Sequence, residues 1–142
     1  MMVQLWPGIP PEVLCDMYLN SCLNEGLNLL IRHHMAKGHR IDGWIRNGCV
    51  NMDTFDIRLM LLIAEMKNRG KSWAYKVKRT DINLIQNYIA YLDRHEIDRT
   101  NFDAINQNPA KLAAKCRACR YRQTRCKGKE TCGDRLKARG MI

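Results

Sequence analysis

FDIRLMLLIAEMKNR, residues 55–69, is the stretch on which the fold turns. Asp53 or Thr54 stands before it as an N-cap and Gly70 follows as a stop, so both ends of a helix are marked. Between them apolar residues cover most of the helical circumference, which predicts the central, most buried helix of a bundle.

Helical signals continue on both sides. Upstream, Pro10-Pro11 is suited to a first helical turn, and Val13, Met17, Leu23, Leu27, Leu30 and Ile31 recur at helical spacing. One long helix is predicted, running to about residues 34–37 and stopped by Gly38, with Gly26 weakening its middle. HRIDGWIRNGCVNM, residues 39–52, carries Gly43 and Gly48 and reads as a connection. Downstream, KSWAYKVKR reads as a basic turn with a brief strand or helix. Thr80 caps a helix over DINLIQNYIAYLDRH, with Ile82, Ile85, Ile89 and Leu92 on one stripe. Thr100 with Asp103 resembles a capping box for a short helix. Pro109 opens PAKLAAKCRACRYRQ, rich in helix formers, and beyond Gln123 the propensity falls. The expected fold is therefore all-α, a small helical bundle over residues 1–108 with a basic, cysteine-rich segment over residues 109–142.

The bulk numbers agree with one domain: 142 residues, 46% apolar, enough for a core. The longest apolar run, Leu59–Ala64, is far short of a membrane span, and no basic segment followed by an apolar run opens the chain. An intracellular, soluble protein without membrane contact is expected. Charge is placed unevenly. Residues 1–110 hold 13 Lys and Arg against 12 Asp and Glu, whereas residues 111–142 hold 11 against two. Nearly all of the net +10 thus lies on the last 32 residues, the footprint of a polyanion-binding appendage on a near-neutral body.

Within that appendage, CRACRYRQTRCKGKETC (residues 116–132) spaces four cysteines as C-x2-C-x6-C-x5-C. Seven cysteines in all, an odd count without an export signal, point to metal or redox chemistry rather than disulfides. The segment after residue 111 has few large apolar groups, and a structural zinc ion supplies roughly 10–16 kcal/mol of folding free energy in small peptides. Cys116, Cys119, Cys126 and Cys132 are accordingly the expected Zn²⁺ ligands, with an iron–sulfur cluster the alternative cofactor. Four thiolates on Zn²⁺ carry net charge −2, and the interleaved cations offset it while favouring thiolate. The bland alternative is a solvated basic tail with incidental cysteines. If residues 116–125 are helical, Cys116 and Cys119 face one way, and Arg117, Tyr121 and Arg125 line the other.

The stretch resembles the first half of the fungal Zn₂Cys₆ binuclear cluster, in which C-x2-C, a basic run, C-x6-C and a further cysteine recur. The resemblance implies that Arg120, Arg122 and Arg125 contact DNA. It covers 17 residues, and GDRLKARGMI supplies no second half, so a mononuclear Cys₄ site is what remains.

Cys15, Cys22 and Cys49 read as buried structural thiols. His33, His34, His39 and His95 read as surface or helix-end residues, although His34 and His39 are the pair able to join a second site. Residues 61–92 invite a helix-turn-helix reading, with a turn at Gly70, a short helix bearing Val77 and a second helix from Asp81. Ordinary bundle geometry explains the pattern better, because Lys78 stands where a small residue is usual. Lys71, Lys76, Lys78 and Arg79, with Trp73 and Tyr75, still make a second basic and aromatic patch.

No phosphate-cradling glycine loop, nucleophile elbow, zincin helix or deaminase pattern is present, so a non-enzyme is expected. The expected function is a zinc-stabilised nucleic-acid-binding protein, with DNA favoured over RNA and transcription regulation the foremost role. Arg117, Arg120, Tyr121, Arg122, Arg125, Lys127 and Lys129 are the expected contact residues. An RNA-binding, virus-type cysteine-rich factor and a zinc-dependent protein adaptor, with a homodimer or protein partner on the bundle, are the rivals.

Overall fold

The computed structural model describes residues 5–71, 76–99, 108–119 and 128–142, and the fold is all-α, with no strand among the described residues. A 3-10 turn at Pro11–Val13 leads into α1 (Asp16–Leu23), which continues without a break as a π-helix over Asn24–Met35. The short α2 (Asp42–Arg46), α3 (Phe55–Asn68) and α4 (Arg79–Arg94) complete the body, and α5 (Pro109–Arg117) and α6 (Cys132–Ala138) form the C-terminal segment.

The predicted stops at Gly38 and Gly70 are there, both at positive φ (75° and 71°). The single long first helix is not. At Leu14 the backbone is extended (ψ 135°), and α1 restarts with Cys15 as its N-cap. The break has a long-range cause. Arg69, at the end of α3, donates to the carbonyls of Pro11 and Glu12 at 3.2 Å each, and Arg135 on α6 donates to Leu14 at 2.6 Å. Guanidinium groups thus take carbonyls that a continuous helix would use internally. The predicted connection at residues 39–52 also contains α2. It is anchored where Tyr88 of α4 donates to Asp42 at 2.6 Å and accepts from the Ile41 amide at 2.8 Å.

The π-helical stretch closes on i to i−5 bonds such as Ala36 N to Ile31 O, 3.0 Å. Gly26 lies within it, fully covered, and a Cβ there would overlap Cδ2 of Leu59, itself buried in α3. A Gly→Ala change inside a helix ordinarily gains up to about 1 kcal/mol. Here Gly26→Ala is expected to lose about 1–3 kcal/mol in urea unfolding, because the core must shift around the added methyl. A stabilised variant would show that α1 and α3 approach less closely than this.

α3 packs against α1, the 3-10 turn and α4. It buries Phe55, Leu59, Leu62 and Met66, yet Ile57, Met60 and Leu61 are half or more exposed among the described residues. The fold thus covers only part of the apolar circumference read from the sequence: α3 packs against three elements and keeps an apolar outer face. The short helix that the disfavoured helix-turn-helix reading places at Val77 is not there, since residues 76–78 are not helical. The capping box at Thr100 lies outside the described residues, as do Trp73 and Tyr75.

Candidate metal centre and basic surface

The C-terminal segment shares the core of the body. Leu112, Ala113 and Cys116 of α5 and Cys132 and Leu136 of α6 are buried in the same cluster as Val13, Leu14 and Leu19. Local folding signals explain both helices. Asn108 caps α5, its side chain accepting from Lys111 N at 2.8 Å, with Pro109 in the first turn. Thr131 and Asp134 form a reciprocal capping box on α6, with bonds of 3.0 and 3.1 Å. The few large apolar groups of this segment suffice because α6 packs against α5 and against the 3-10 turn at residues 11–13, and so borrows its burial from the chain's other end.

α5 ends at Arg117, and Cys119 follows in a turn closed by its amide on the Cys116 carbonyl at 3.2 Å. Cys116 and Cys132 are buried and Cys119 is half-buried; all three are free thiols. Gly133 lies between two of them, since a Cβ on it would stand 3.9 Å from Cys116 Sγ. Cys116 of α5 thus lies beside the start of α6, and Cys119 follows in the turn after α5. The fourth expected ligand, Cys126, lies outside the described residues, as do Arg120, Tyr121, Arg122, Arg125 and Lys127. Arg117 and Lys129 are exposed, as expected of residues that meet a polyanion.

A fifth participant was missed in the sequence. Cys15, 117 residues before Cys132, donates its backbone N–H to Cys132 Sγ at 3.2 Å, and the two thiols are hydrogen-bonded to each other. That bond, with backbone amides of Met17 and Tyr18 and the positive Arg135, pulls the Cys15 thiol down against the opposing effect of burial. The same bond, together with burial, pushes Cys132 up. Tyr18, one turn beyond Cys15, reaches the Cys119 thiol and the Lys115 carbonyl (3.5 Å), and Lys115 Nζ stands 6.0 Å from its ring centre. Burial and the neighbouring thiols push the Tyr18 hydroxyl up, so it acts as a neutral donor. Among the described residues no three metal-donor side chains share one centre at bonding distance.

Cys22, pushed up to about 12 by burial, and Cys49, raised for the same reason, are the inert core thiols the sequence suggests. His33, His34 and His39 meet edge-to-face, ring centres 5.1–5.7 Å apart, with His34 also 4.8 Å from Trp44. The second basic patch is divided: Lys71 pairs with Asp16 at 3.2 Å, beside Cys15, whereas Lys76 lies at the π-helix, its carbonyl accepting from Arg32 at 3.5 Å.

No family model matches the chain, and neither does any curated protein or solved structure. No helix among the described residues is long and apolar enough to cross a membrane.

Proposed function

We propose that this protein binds nucleic acid through a zinc-stabilised basic segment, in an intracellular setting that keeps its thiols reduced, with DNA the favoured target and control of transcription the role. One observation carries the reading: a charge of +9 concentrated on residues 111–142 of a chain whose other 110 residues are nearly neutral. The fold supports it by exposing Lys111, Lys115 and Arg117 on α5, Lys137 on α6 and Arg139 at its C-cap. Such an array binds by releasing counterions from a polyphosphate. In this reading Zn²⁺ on Cys116, Cys119, Cys126 and Cys132 holds the run from Arg120 to Lys127 in shape, and Tyr121 stacks on an unpaired base. The exposed Ile57, Met60 and Leu61 favour a second reading, an adaptor whose α3 takes a protein partner or a second copy.

Metal analysis of protein purified without air, followed by salt-titrated binding to duplex DNA and to single-stranded RNA, tests the proposal. Zinc at one ion per chain and log Kd rising steeply with log salt are expected; a brown protein means iron and sulfur instead. Replacing Arg120, Arg122 and Arg125 together by Ala is expected to flatten the salt slope by roughly 2–3, about 0.9 for each phosphate left unneutralised. An unchanged slope refutes that placement. Negligible binding even at low salt favours the adaptor.

A further inference from the structure

Spacing alone assigns the fourth metal position to Cys126, but the fold brings another sulfur to the others. Cys15 caps α1, Cys132 begins α6, Cys116 lies in the last turn of α5 and Cys119 just beyond it. No three of them share one centre at bonding distance in the fold as described, so side-chain rotation must close the site around the ion. Cys15 touches Cys132 through both its amide (3.2 Å) and its thiol. Cys116 lies against Gly133, the residue after Cys132. Cys119 is joined through Tyr18, three residues after Cys15 and therefore on the same face of α1. We infer that Cys15 is a metal ligand, completing with Cys116, Cys119 and Cys132 a mononuclear four-thiolate site for a zinc-type cation, in place of Cys126.

This inference rests on the metal reading above and alters what the ion does. Rather than shaping a tail by itself, the metal ties the start of the body to the last helix. The chemistry fits. Sulfurs around tetrahedral zinc, at Zn–S of about 2.3 Å, lie about 3.8 Å from one another, which is ordinary sulfur–sulfur contact. Thiols already hydrogen-bonded need chiefly to surrender protons to solvent as the ion enters. Cys15 and Cys116 are 7% exposed and Cys132 is 1% exposed, so the junction is dry and a thiol there is spared competing ligands. The Cys15 amide already supplies the N–H···S bond by which outer groups hold metal-bound sulfur. Arg135, bound to the Leu14 carbonyl beside Cys15, adds positive charge against a site of net −2.

The test uses full-length protein stripped with chelator and titrated anaerobically with Co²⁺, whose sulfur-to-metal charge-transfer band reports thiolate ligands, and then with Zn²⁺ in competition. Serine is a favourable N-cap, so Cys15→Ser leaves the start of α1 intact, which circular dichroism will verify. The expected result is a four-thiolate spectrum for the parent protein and for Cys126→Ser, and at least about 100-fold weaker binding with an altered spectrum for Cys15→Ser. As an arm that needs no variant, metal-dependent protection from alkylation is expected at Cys15 and not at Cys126. A parent protein that binds one ion while Cys15→Ser keeps its spectrum and affinity overturns this inference alone, as does protection at Cys126 instead of Cys15. A parent protein that takes up neither ion overturns this inference together with the zinc reading beneath it.

Discussion

Arg58→Ala is expected to remove about 3–5 kcal/mol of stability, a large share of the roughly 5–15 kcal/mol that holds a domain of this size together. Arg58 is 5% exposed in the first turn of α3. Its Nε donates to the Leu5 carbonyl at 3.1 Å and its Nη1 to the Ile9 carbonyl at 2.6 Å, and Nη2 has no hydrogen-bond partner among the described residues. Burial pulls the guanidinium below its usual range, so the site already costs something to hold charged. Each bond from a charged group contributes about 1.5–3 kcal/mol, and truncation leaves two buried carbonyls unsatisfied beside a cavity. The carbonyls matter because residues 5–14 have little backbone pairing of their own. Pro7, Pro10 and Pro11 lack donors, and Trp6 sits in the left-handed region (φ 49°), a conformation retained because its ring is 3% exposed in the core. Urea unfolding checks the value. Arg58→Lys, which keeps the charge without the fork, is expected to restore less than half of the loss. A cost below about 1 kcal/mol for Arg58→Ala would mean that the N-terminal segment is held elsewhere.

The features that could be read from the sequence are those whose causes are local. α3 and α4 lie within two residues of their predicted bounds because the signals sit next to them. Gly70 stops α3, whereas the predicted cap Thr80 falls inside α4: Lys78 is the N-cap, and Asp81 turns back to accept from its amide at 2.9 Å. α5 starts at Pro109 because Asn108 and Pro109 are adjacent. What could not be read depends on residues far away in the chain. Nothing around Leu14 announces the break before α1; its causes are Arg69 and Arg135. The close approach of Gly26 to Leu59 is likewise not encoded by helical spacing in one segment. Cys15 has no cysteine near it at ligand spacing, so its part in the junction emerges only once α6 is placed. One local signal does point to the last helix: Thr131-x-x-Asp134 is a capping box, and it marks α6 in a segment whose propensity alone argues against a helix.

Leu136→Ala tests whether that last helix belongs to the body or merely follows it. The leucine is fully buried, and α6 packs on the 3-10 turn and on α5. Truncation removes its transfer free energy and opens a cavity, an expected loss of about 2–5 kcal/mol. Seven residues of helix cannot persist alone, so a detached α6 would simply melt. Here its detachment carries further consequences. Arg135 would release the Leu14 carbonyl, and the Cys15 amide would lose its sulfur acceptor. Both lie on the segment that Arg58 and Arg69 hold from the other side, so the damage passes into α1 and α3. The expected result is a single cooperative transition at lower urea, followed equally well by total helicity and by tryptophan fluorescence, with hydrogen exchange at Cys15 accelerated alongside it. A variant whose α1 to α4 unfold at the original midpoint while only the C-terminal segment melts early would show two independent units. In that event the charged segment is an appendage in the energetic sense as well as the electrostatic one, and a metal joining Cys15 to Cys132 would be the bond that makes them one.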